Sequence, residues 1–375
     1  MDTTNPTLAA RIRQEWFLAI SIPTCAILYF WGGTLWTQLA SWPLLIVLFA
    51  WLFAAILGSA LAVVRHADRL AEQLGEPYGT LILTLSVTVI EVTSISAVML
   101  HGESNPTLAR DTLFAVVMII LNGMVGLSLL VGGWCHREQH HNLQGANIYL
   151  GAIVPLIVLS LVLPNFTQTT PGATLSFAQQ VFLVFVSIGL YGTFLVVQTG
   201  RHSGYFSVVP DVRSRSTATS TPATGRRIAW PSFCLAANLL PALFLAEQLS
   251  RPIDHLIETL LAPAAVGGVI VAALVATPEA LGAVRAALAN QLQRSVNIFL
   301  GSVLATIGLT VPAMVLISEM SGHTMILGVQ HAELVLLVLT IVVSMITFAS
   351  GRTNILQGAV HLVLFAAYIL LIFQS

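Results

Sequence analysis

Eleven apolar segments of about 20 residues follow one another along this chain of 375 residues, and they constrain its fold more than any other feature. A helix needs about 20 apolar residues to cross the hydrocarbon of a bilayer. The segments lie at about 16–36, 43–64, 79–101, 112–134, 147–164, 178–198, 230–248, 261–285, 295–318, 331–349 and 355–373. Only 8% of the residues are charged, so little remains for a soluble catalytic module. The sequence predicts an all-α polytopic protein with eleven transmembrane helices in a lipid bilayer.

The charged residues narrow the function further. All 15 basic residues are arginines, which excludes a GxxxxGK[ST] phosphate-binding loop and a lysine Schiff base. The three cysteines show no paired spacing, and neither HExxH nor GxSxG occurs. These absences argue against an ATP-driven pump and against an enzyme.

The distribution of arginine predicts an orientation. With a cytoplasmic N-terminus, thirteen of the 15 arginines fall on the cytoplasmic side and only Arg110 and Arg251 fall outside. Eleven spans then place the C-terminus outside. The polar segment 199–229 is rich in Ser, Thr, Arg and Pro, and we expect a flexible cytoplasmic linker there.

Two acidic residues lie deep in apolar segments. Glu91 is near the middle of 79–101, and Glu279 has the same setting in 262–284. A charge at that depth costs roughly 2.5 kcal/mol or more, and such residues usually face a cation or a water path. A neutral, hydrogen-bonded structural acid is the alternative for each of them.

The two acidic segments also reveal an internal repeat. Aligning their glutamates at an offset of 188 places Gly79 on Gly267 and Val87 on Val275. Because each half has five helices, an odd number, the two copies have opposite orientations in the membrane. We therefore predict an N-terminal tail and extra first helix (1–42), a first inverted five-helix repeat (43–198), the linker (199–229) and a second inverted repeat (230–375). Inverted repeats are typical of transporters with a binding site near the bilayer midplane.

The motifs around the glutamates carry a family resemblance. The stretch GTLILTLSVTVIEV (79–92) and the longer stretch ATPEALGAVRAALANQLQRSVNIFLGSVLATIGLTVP (276–312) resemble the calcium/proton exchangers of the cation/calcium exchanger superfamily, above all its bacterial ChaA-like branch. The resemblance implies that Glu91 and Glu279 bind a cation and exchange it for protons. It implies Ca²⁺ and H⁺ as transported ions, no further cofactor, no nucleic-acid partner, and the inner membrane of a bacterium.

The chain departs from plant and fungal exchangers at the site itself. Their Gly-Asn-Ala-x-Glu pattern is replaced by the segments 87–91 and 275–279, with Thr88 in place of the first asparagine. We therefore expect that Na⁺ or K⁺ is also carried. A monovalent cation/proton antiporter with little calcium transport and a cation channel are the alternatives.

The remaining ligands follow from calcium chemistry. Calcium prefers six to eight oxygen ligands. Thr84 and Thr88 precede Glu91 on roughly one helical face, and Asn122 and Ser302 lie on the helices that follow the acidic ones. Backbone carbonyl oxygens are expected as further ligands where the acidic helices break, for example at Pro278, because their intrahelical hydrogen bonds are lost there. For the residues of the following helices, packing by small polar side chains is an equally good interpretation.

Three further features have mainly structural interpretations. The segment HREQHH (136–141) could bind a metal, although a solvated loop fits its position better. Glu333 could line an outer proton vestibule, with interfacial solvation as the stronger alternative. His361 within the last helix is expected to be hydrogen-bonded packing.

Overall fold

The structure is a computed structural model that describes residues 15–37, 41–74, 78–100, 105–200, 202–207, 225–260 and 262–374. Its α-helices are α1 Leu18–Trp36, α2 Trp42–Leu74, α3 Tyr78–Leu100, α4 Leu108–Met118, α5 Val125–His136, α6 Leu143–Ile157, α7 Phe177–Thr199, α8 Gly225–Asp254, α9 Ala265–Leu288, α10 Leu292–Ala305, α11 Val311–Ser321, α12 His331–Phe348 and α13 Ile355–Ile372. The π-helical segments are Ile119–Met124, Val158–Val162, His255–Thr259 and Thr306–Thr310. The 3₁₀ turns are Leu163–Asn165 and Ser203–Tyr205, and the strands are β1 Glu138–His140 and β2 Arg352–Asn354.

Helix length and composition confirm the predicted fold class. Among the described residues, ten helical segments are long and apolar enough to cross a membrane, and Thr84–Leu100 in α3 is a shorter apolar helix. The π segments join α4 to α5 and α10 to α11, so that each pair counts as one span. Ten such segments and the shorter helix make eleven apolar helical segments in the part of the chain that the structure describes, and the chain is a multi-pass membrane protein.

The first compact unit consists of residues 1–101 and 223–256. Helix α8 packs along α2 and α3 and also contacts α1. The Trp51 indole N–H donates to Thr24 Oγ1 at 3.1 Å, which links α2 to α1. A helix from the second half of the sequence therefore completes the packing of the first three.

The second compact unit consists of residues 102–222 and 257–375. Helix α9 packs against α4 and α10, and α5 packs against α13. Glycines allow both close approaches: a Cβ atom added at Gly268 would lie 2.7 Å from the Asp111 carbonyl carbon, and one added at Gly126 would lie 2.9 Å from the Leu362 nitrogen. The two compact units group helices by their contacts, whereas the predicted repeats group them by sequence similarity. The compact units therefore do not test the repeat boundaries, which stay a prediction.

Polar residues at the helix ends explain where several spans begin. Ser176 with Gln179, Gln330 with Glu333, and Asn354 with Gln357 form capping boxes at α7, α12 and α13. Gly322 ends α11 in the left-handed conformation, with φ of 68°. The last spans are therefore bounded by local sequence signals.

Part of the predicted linker is ordered. Residues 202–207 continue from α7 through a 3₁₀ turn, and the buried Phe206 ring packs on Tyr149 and Phe194 with centroid distances of 5.4 and 5.7 Å. Asn297 Nδ2 donates to the Phe206 carbonyl at 2.6 Å. Helix α8 already begins at Gly225, and residues 208–224 lie outside the described residues. The expectation of a flexible linker is thus wrong for its first residues.

The HREQHH segment forms part of a strand rather than a solvated loop: Glu138–His140 are strand β1, and Gln139 and His141 are buried. β1 pairs with β2 antiparallel, with Gln139 opposite Thr353. His136 Nε2 lies 2.8 Å from the Leu288 carbonyl, and His141 Nε2 lies 3.4 Å from the Phe348 carbonyl. Backbone carbonyls therefore engage both histidines. The segment connects helix ends within the second compact unit.

We expect His141 to make stability of this hairpin depend on pH. Burial lowers the pKa of His141 below its ordinary value near 6.5, opposed by the hydrogen bond to Phe348 and reinforced by His140. The imidazole of His141 then binds a proton more tightly in the unfolded chain than in the folded protein. The contribution of neutral His141 to the free energy of unfolding is therefore complete above about pH 6.5 and is lost as the pH falls. Between about pH 5 and 7.5, the melting temperature of the detergent-purified protein should decrease with falling pH. This decrease should be less steep for His141→Gln than for the wild type. The exposed His202→Gln is the control, and equal slopes for all three proteins would contradict the prediction.

Candidate functional site

Glu91 is almost fully buried in the first compact unit. It lies on α3, where its side chain is 1% exposed. Thr88, one turn earlier, is also buried, and Thr84 one further turn back is half-buried. Ser86 and Ser94 donate to the carbonyls of Ile82 and Ile90 on their own helix. The hydroxyl protons of these two serines are therefore committed to backbone. Thr88 precedes Glu91 by three residues, which is about one helical turn, and so lies on roughly the same face of α3.

Glu279 is partly buried on α9 in the second compact unit, and its carboxylate has a polar partner. Ser302 Oγ, on α10, donates a hydrogen bond to Glu279 Oε2. The structure thus brings together two residues that the sequence assigned to one site. A hydroxyl donor favours the ionised carboxylate, which is also the form that binds a cation.

The two glutamates occupy matching positions on their helices. Each lies nine residues before the last residue of its helix, which is Leu100 for α3 and Leu288 for α9. At 1.5 Å per residue this places both carboxyl-bearing residues about 13 Å from a helix end. The equivalence found in the sequence alignment therefore holds for the helix boundaries as well.

The acidic helices are unbroken, contrary to the expectation that they open to free backbone carbonyls. α3 and α9 are each continuous through the glutamate, and Pro278 is accommodated inside α9. The irregular backbone lies in the next spans instead, as the π segments Ile119–Met124 and Thr306–Thr310. Such segments are often found at functional sites. Sequence reasoning missed them: each contains a glycine, Gly123 or Gly308, but glycines also occur inside the unbroken helix α9 and so do not mark a π segment.

Asn122 lies within the first of these π segments and is fully engaged by other residues. Its Nδ2 donates to Thr340 Oγ1 at 2.8 Å, and its Oδ1 lies 3.3 Å from His361 Nδ1. Thr347 Oγ1 lies 3.0 Å from His361 Nε2 and extends the network. All four side chains are buried. The arrangement favours the packing interpretation of Asn122 and agrees with hydrogen-bonded packing of His361.

Glu333 lies in an acidic pocket rather than in interfacial solvent. It is largely buried, its Oε2 accepts from the Gln330 backbone N–H at 2.8 Å, and it lines a small pocket together with Asp111 and Tyr368. Arg110 Nη2 lies 2.7 Å from Asp111 Oδ1 and balances one of the two acids. Asp111 was missed in the sequence, although an acid in the first turn of an apolar span is a usable signal.

These features define a class of protein. The described residues form eleven apolar helical segments, some of them interrupted by π segments, and one carboxylate lies deep in each half of the chain. These are the features of a secondary transporter of ions. The sequence profile of the sodium/calcium exchanger protein family matches residues 44–200 and 230–374. The chain belongs to this family, whose members are transporters rather than enzymes, and within it the chain is ChaA-like.

Individual relatives agree with this assignment. The chain is 40% identical over 364 residues to the sodium-potassium/proton antiporter ChaA of Escherichia coli (strain K12), with 96% of each protein covered. It is 44% identical over 315 residues to the putative ionic transporter y4hA of Sinorhizobium fredii, with 84% of this chain and 85% of the relative covered. The crystal structure of the Ca²⁺/H⁺ antiporter protein YfkE has the same fold, with a TM-score of 0.69, 21% identity, and 97% and 100% of the two chains covered.

Proposed function

We propose that this chain is a secondary active antiporter that exports Ca²⁺, and through the same site Na⁺ or K⁺, in exchange for protons by alternating access. Glu91 and Glu279 are proposed to bind the cation and the protons in turn. The observation that carries the proposal is the pair of carboxylates at matching positions of two spanning helices. The match of one family profile to 44–200 and 230–374 supports the division into two repeats.

Competition for the same oxygens explains the coupling. A carboxylate holds either a proton or a share of a cation, so cation entry releases protons and protonation releases the cation. Moving Ca²⁺ outward against 100 mV, inside negative, costs about 4.6 kcal/mol before any concentration term. Two protons that move inward cancel this electrical cost. With two protons per Ca²⁺, the proton concentration gradient then drives export against the Ca²⁺ concentration gradient.

The choice of cargo rests on the charge and the number of oxygens. Two carboxylates match the charge of Ca²⁺, and Thr84 and Thr88 are proposed to add hydroxyl oxygens on the side of Glu91. The name of the Escherichia coli relative supports Na⁺ and K⁺ as additional cargo. A monovalent cation/proton antiporter with little calcium transport is the alternative that this name favours.

Everted membrane vesicles test the function directly. After a pH gradient is imposed, Ca²⁺, Na⁺ or K⁺ is added singly and dissipation of the gradient is recorded. We expect dissipation by Ca²⁺ and a weaker response to the monovalent ions. Dissipation by Na⁺ and K⁺ alone would establish the monovalent alternative, and no response to any of the three would overturn the proposal. Parallel measurements on Thr84→Val and Thr88→Val test the hydroxyl ligands, which are excluded if both variants keep wild-type affinities.

We predict that Ser302→Ala weakens cation binding without abolishing transport. Loss of a hydrogen bond to a charged group costs about 1.5 kcal/mol or more, which corresponds to an apparent cation affinity roughly tenfold lower. The half-maximal cation concentration in the vesicle assay measures this change. Ser160→Ala is the matched control, because Ser160 Oγ donates to the Leu156 carbonyl of its own helix at 2.6 Å. Equal affinities in the wild type and Ser302→Ala would remove Ser302 from the site.

The arginine distribution supports the proposed orientation in a bacterial inner membrane. The N-terminus and residues 199–229 would face the cytoplasm and the C-terminus would lie outside. Reporter fusions at the two termini test this arrangement. Reporters on the same side of the membrane would contradict both the orientation and the odd number of spans.

A further inference from the structure

A second group of buried polar side chains lies in the first compact unit, away from Glu91 in sequence. Glu15 precedes α1, His66 belongs to α2, and Cys234 and Asn238 lie one turn apart on α8. All four are buried, and even the most exposed of them, Glu15, is only 8% exposed. Three segments of the chain therefore bring their polar side chains to one interior point.

The ligand atoms in this cluster are close enough to share an ion. His66 Nε2 lies 3.0 Å from both carboxylate oxygens of Glu15. One ligand atom each from Glu15, His66 and Cys234 all lie within 4.8 Å of one another. Asn238 Nδ2 approaches Glu15 Oε2 at 3.4 Å and donates to the Cys234 carbonyl at 2.8 Å. The Asn238 amide group therefore borders the cluster beside Glu15 and Cys234.

A hydrogen-bonded pair of Glu15 and His66 does not account for the whole arrangement. Among the described residues, Asn238 Oδ1 and His66 Nδ1 are buried without a hydrogen-bond partner. Buried polar atoms are normally paired, and unpaired ones call for an explanation. The Asn238 amide nitrogen is held toward Glu15 by its hydrogen bond to the Cys234 carbonyl, so the side chains left to bind an ion are Glu15, His66 and Cys234.

We propose that Glu15, His66 and Cys234 bind one divalent transition-metal ion of the Zn²⁺ type, with a water molecule in the fourth position. A carboxylate, an imidazole and a thiolate are ligands that Zn²⁺ accepts in tetrahedral geometry, whereas Ca²⁺ and Mg²⁺ prefer oxygen alone. Bonds of about 2.0–2.3 Å place tetrahedral ligand atoms about 3.3–3.8 Å apart. On binding, the Cys234 sulfur therefore moves closer to the other ligand atoms by up to about 1 Å, while His66 Nε2 and the Glu15 oxygens, now 3.0 Å apart, separate slightly.

The charges balance in this arrangement. Binding displaces the thiol proton of Cys234 to solvent, and the resulting thiolate and the Glu15 carboxylate neutralise the two charges of the ion. Arg65 Nη2 lies 3.5 Å from Glu15 Oε2, and its side chain is 35% exposed. The guanidinium can therefore turn toward solvent when the ion takes its place beside Glu15. The bound ion joins the segment before α1 to α2 and α8.

Cobalt provides a test on the full chain in detergent. The reduced, metal-free protein is titrated with Co²⁺, whose bond to a thiolate gives a charge-transfer absorption, and Zn²⁺ is then added as competitor. We expect one Co²⁺ per chain with this absorption and complete displacement by Zn²⁺. Cys234→Ser should lose the absorption, whereas Cys25→Ser and the exposed Cys135→Ser should keep it. Glu15→Gln, which keeps the shape of the side chain, should lower the Co²⁺ affinity by about tenfold or more.

Two results would overturn the proposal. One is the absence of the thiolate absorption in the wild type at excess Co²⁺. The other is an absorption that survives in Cys234→Ser and disappears in Cys135→Ser, which would assign binding to the His-rich segment beside Cys135. If Cys234→Ser does not fold, Glu15→Gln decides the question, because unchanged Co²⁺ affinity in that variant excludes the site. None of these measurements depends on ion exchange, so the outcome is independent of the proposed function.

Discussion

Glu91→Gln and Glu279→Gln are each expected to abolish cation/proton exchange in everted vesicles while the protein still inserts into the membrane. Glutamine keeps the size of the side chain but removes both the negative charge and the titrating proton. Loss of one charged partner from a buried ionic site costs about 3–5 kcal/mol, so cation affinity should fall by at least about 100-fold. Initial rates of gradient dissipation, normalised to the amount of protein in the membrane, measure the effect.

A matched control separates the role of these two acids from a general effect of acid loss. Glu319 lies exposed near the end of α11, and Glu319→Gln should exchange at the wild-type rate. If either Glu91→Gln or Glu279→Gln retained coupled exchange at that rate, the corresponding glutamate would have no part in the mechanism. Loss of exchange together with loss of membrane insertion would instead indicate a structural acid.

Gly358→Val is expected to have the largest effect on stability. Gly358 lies where α13 meets α5, and a Cβ atom added there would lie 2.8 Å from Leu130 Cα and 2.9 Å from the Gly126 carbonyl oxygen. Backbone atoms cannot move aside as a flexible side chain can, so the two helices must separate. Overpacking of this kind costs about 3 kcal/mol, and membrane helices rely on close approach at small residues. Thermal melting and monodisperse yield in detergent measure the loss.

Gly151→Val provides the comparison for that substitution. Gly151 lies in α6, and nothing lies within 4 Å of a Cβ atom added there. The two variants make the same chemical change within helices, so helix propensity affects both in the same way. We expect a near-wild-type melting temperature for Gly151→Val. Equal melting temperatures for the two variants would show that the crossing of α5 and α13 tolerates separation.

Features that depend on local sequence were predictable. Eleven apolar segments and the depth of the two glutamates can be read directly, because crossing a bilayer is a requirement on one continuous segment. The helix ends at Ser176, Gln330 and Asn354 also follow from local capping chemistry. The repeat alignment anticipated that Glu91 and Glu279 would occupy matching positions in their helices.

The partners of individual polar side chains depended on contacts between distant segments. The hydrogen bond from Ser302 to Glu279 agrees with the site suggested by the sequence, whereas Asn122 bonds to Thr340 and His361 on other helices. A hydroxyl or an amide side chain in an apolar helix can face either a ligand or a neighbouring helix. The local sequence around it does not distinguish these two cases.

Sequence by itself determined the number of spans, the fold class and the depth of Glu91 and Glu279, because hydropathy acts along each segment independently. Only the tertiary structure decided that Glu333 shares a pocket with Asp111, that Phe206 anchors the start of the linker, and that Glu15 meets side chains of α2 and α8. The physical reason is that a buried polar atom must find a partner wherever packing brings one, and packing joins polar residues that lie as much as 239 positions apart in the chain.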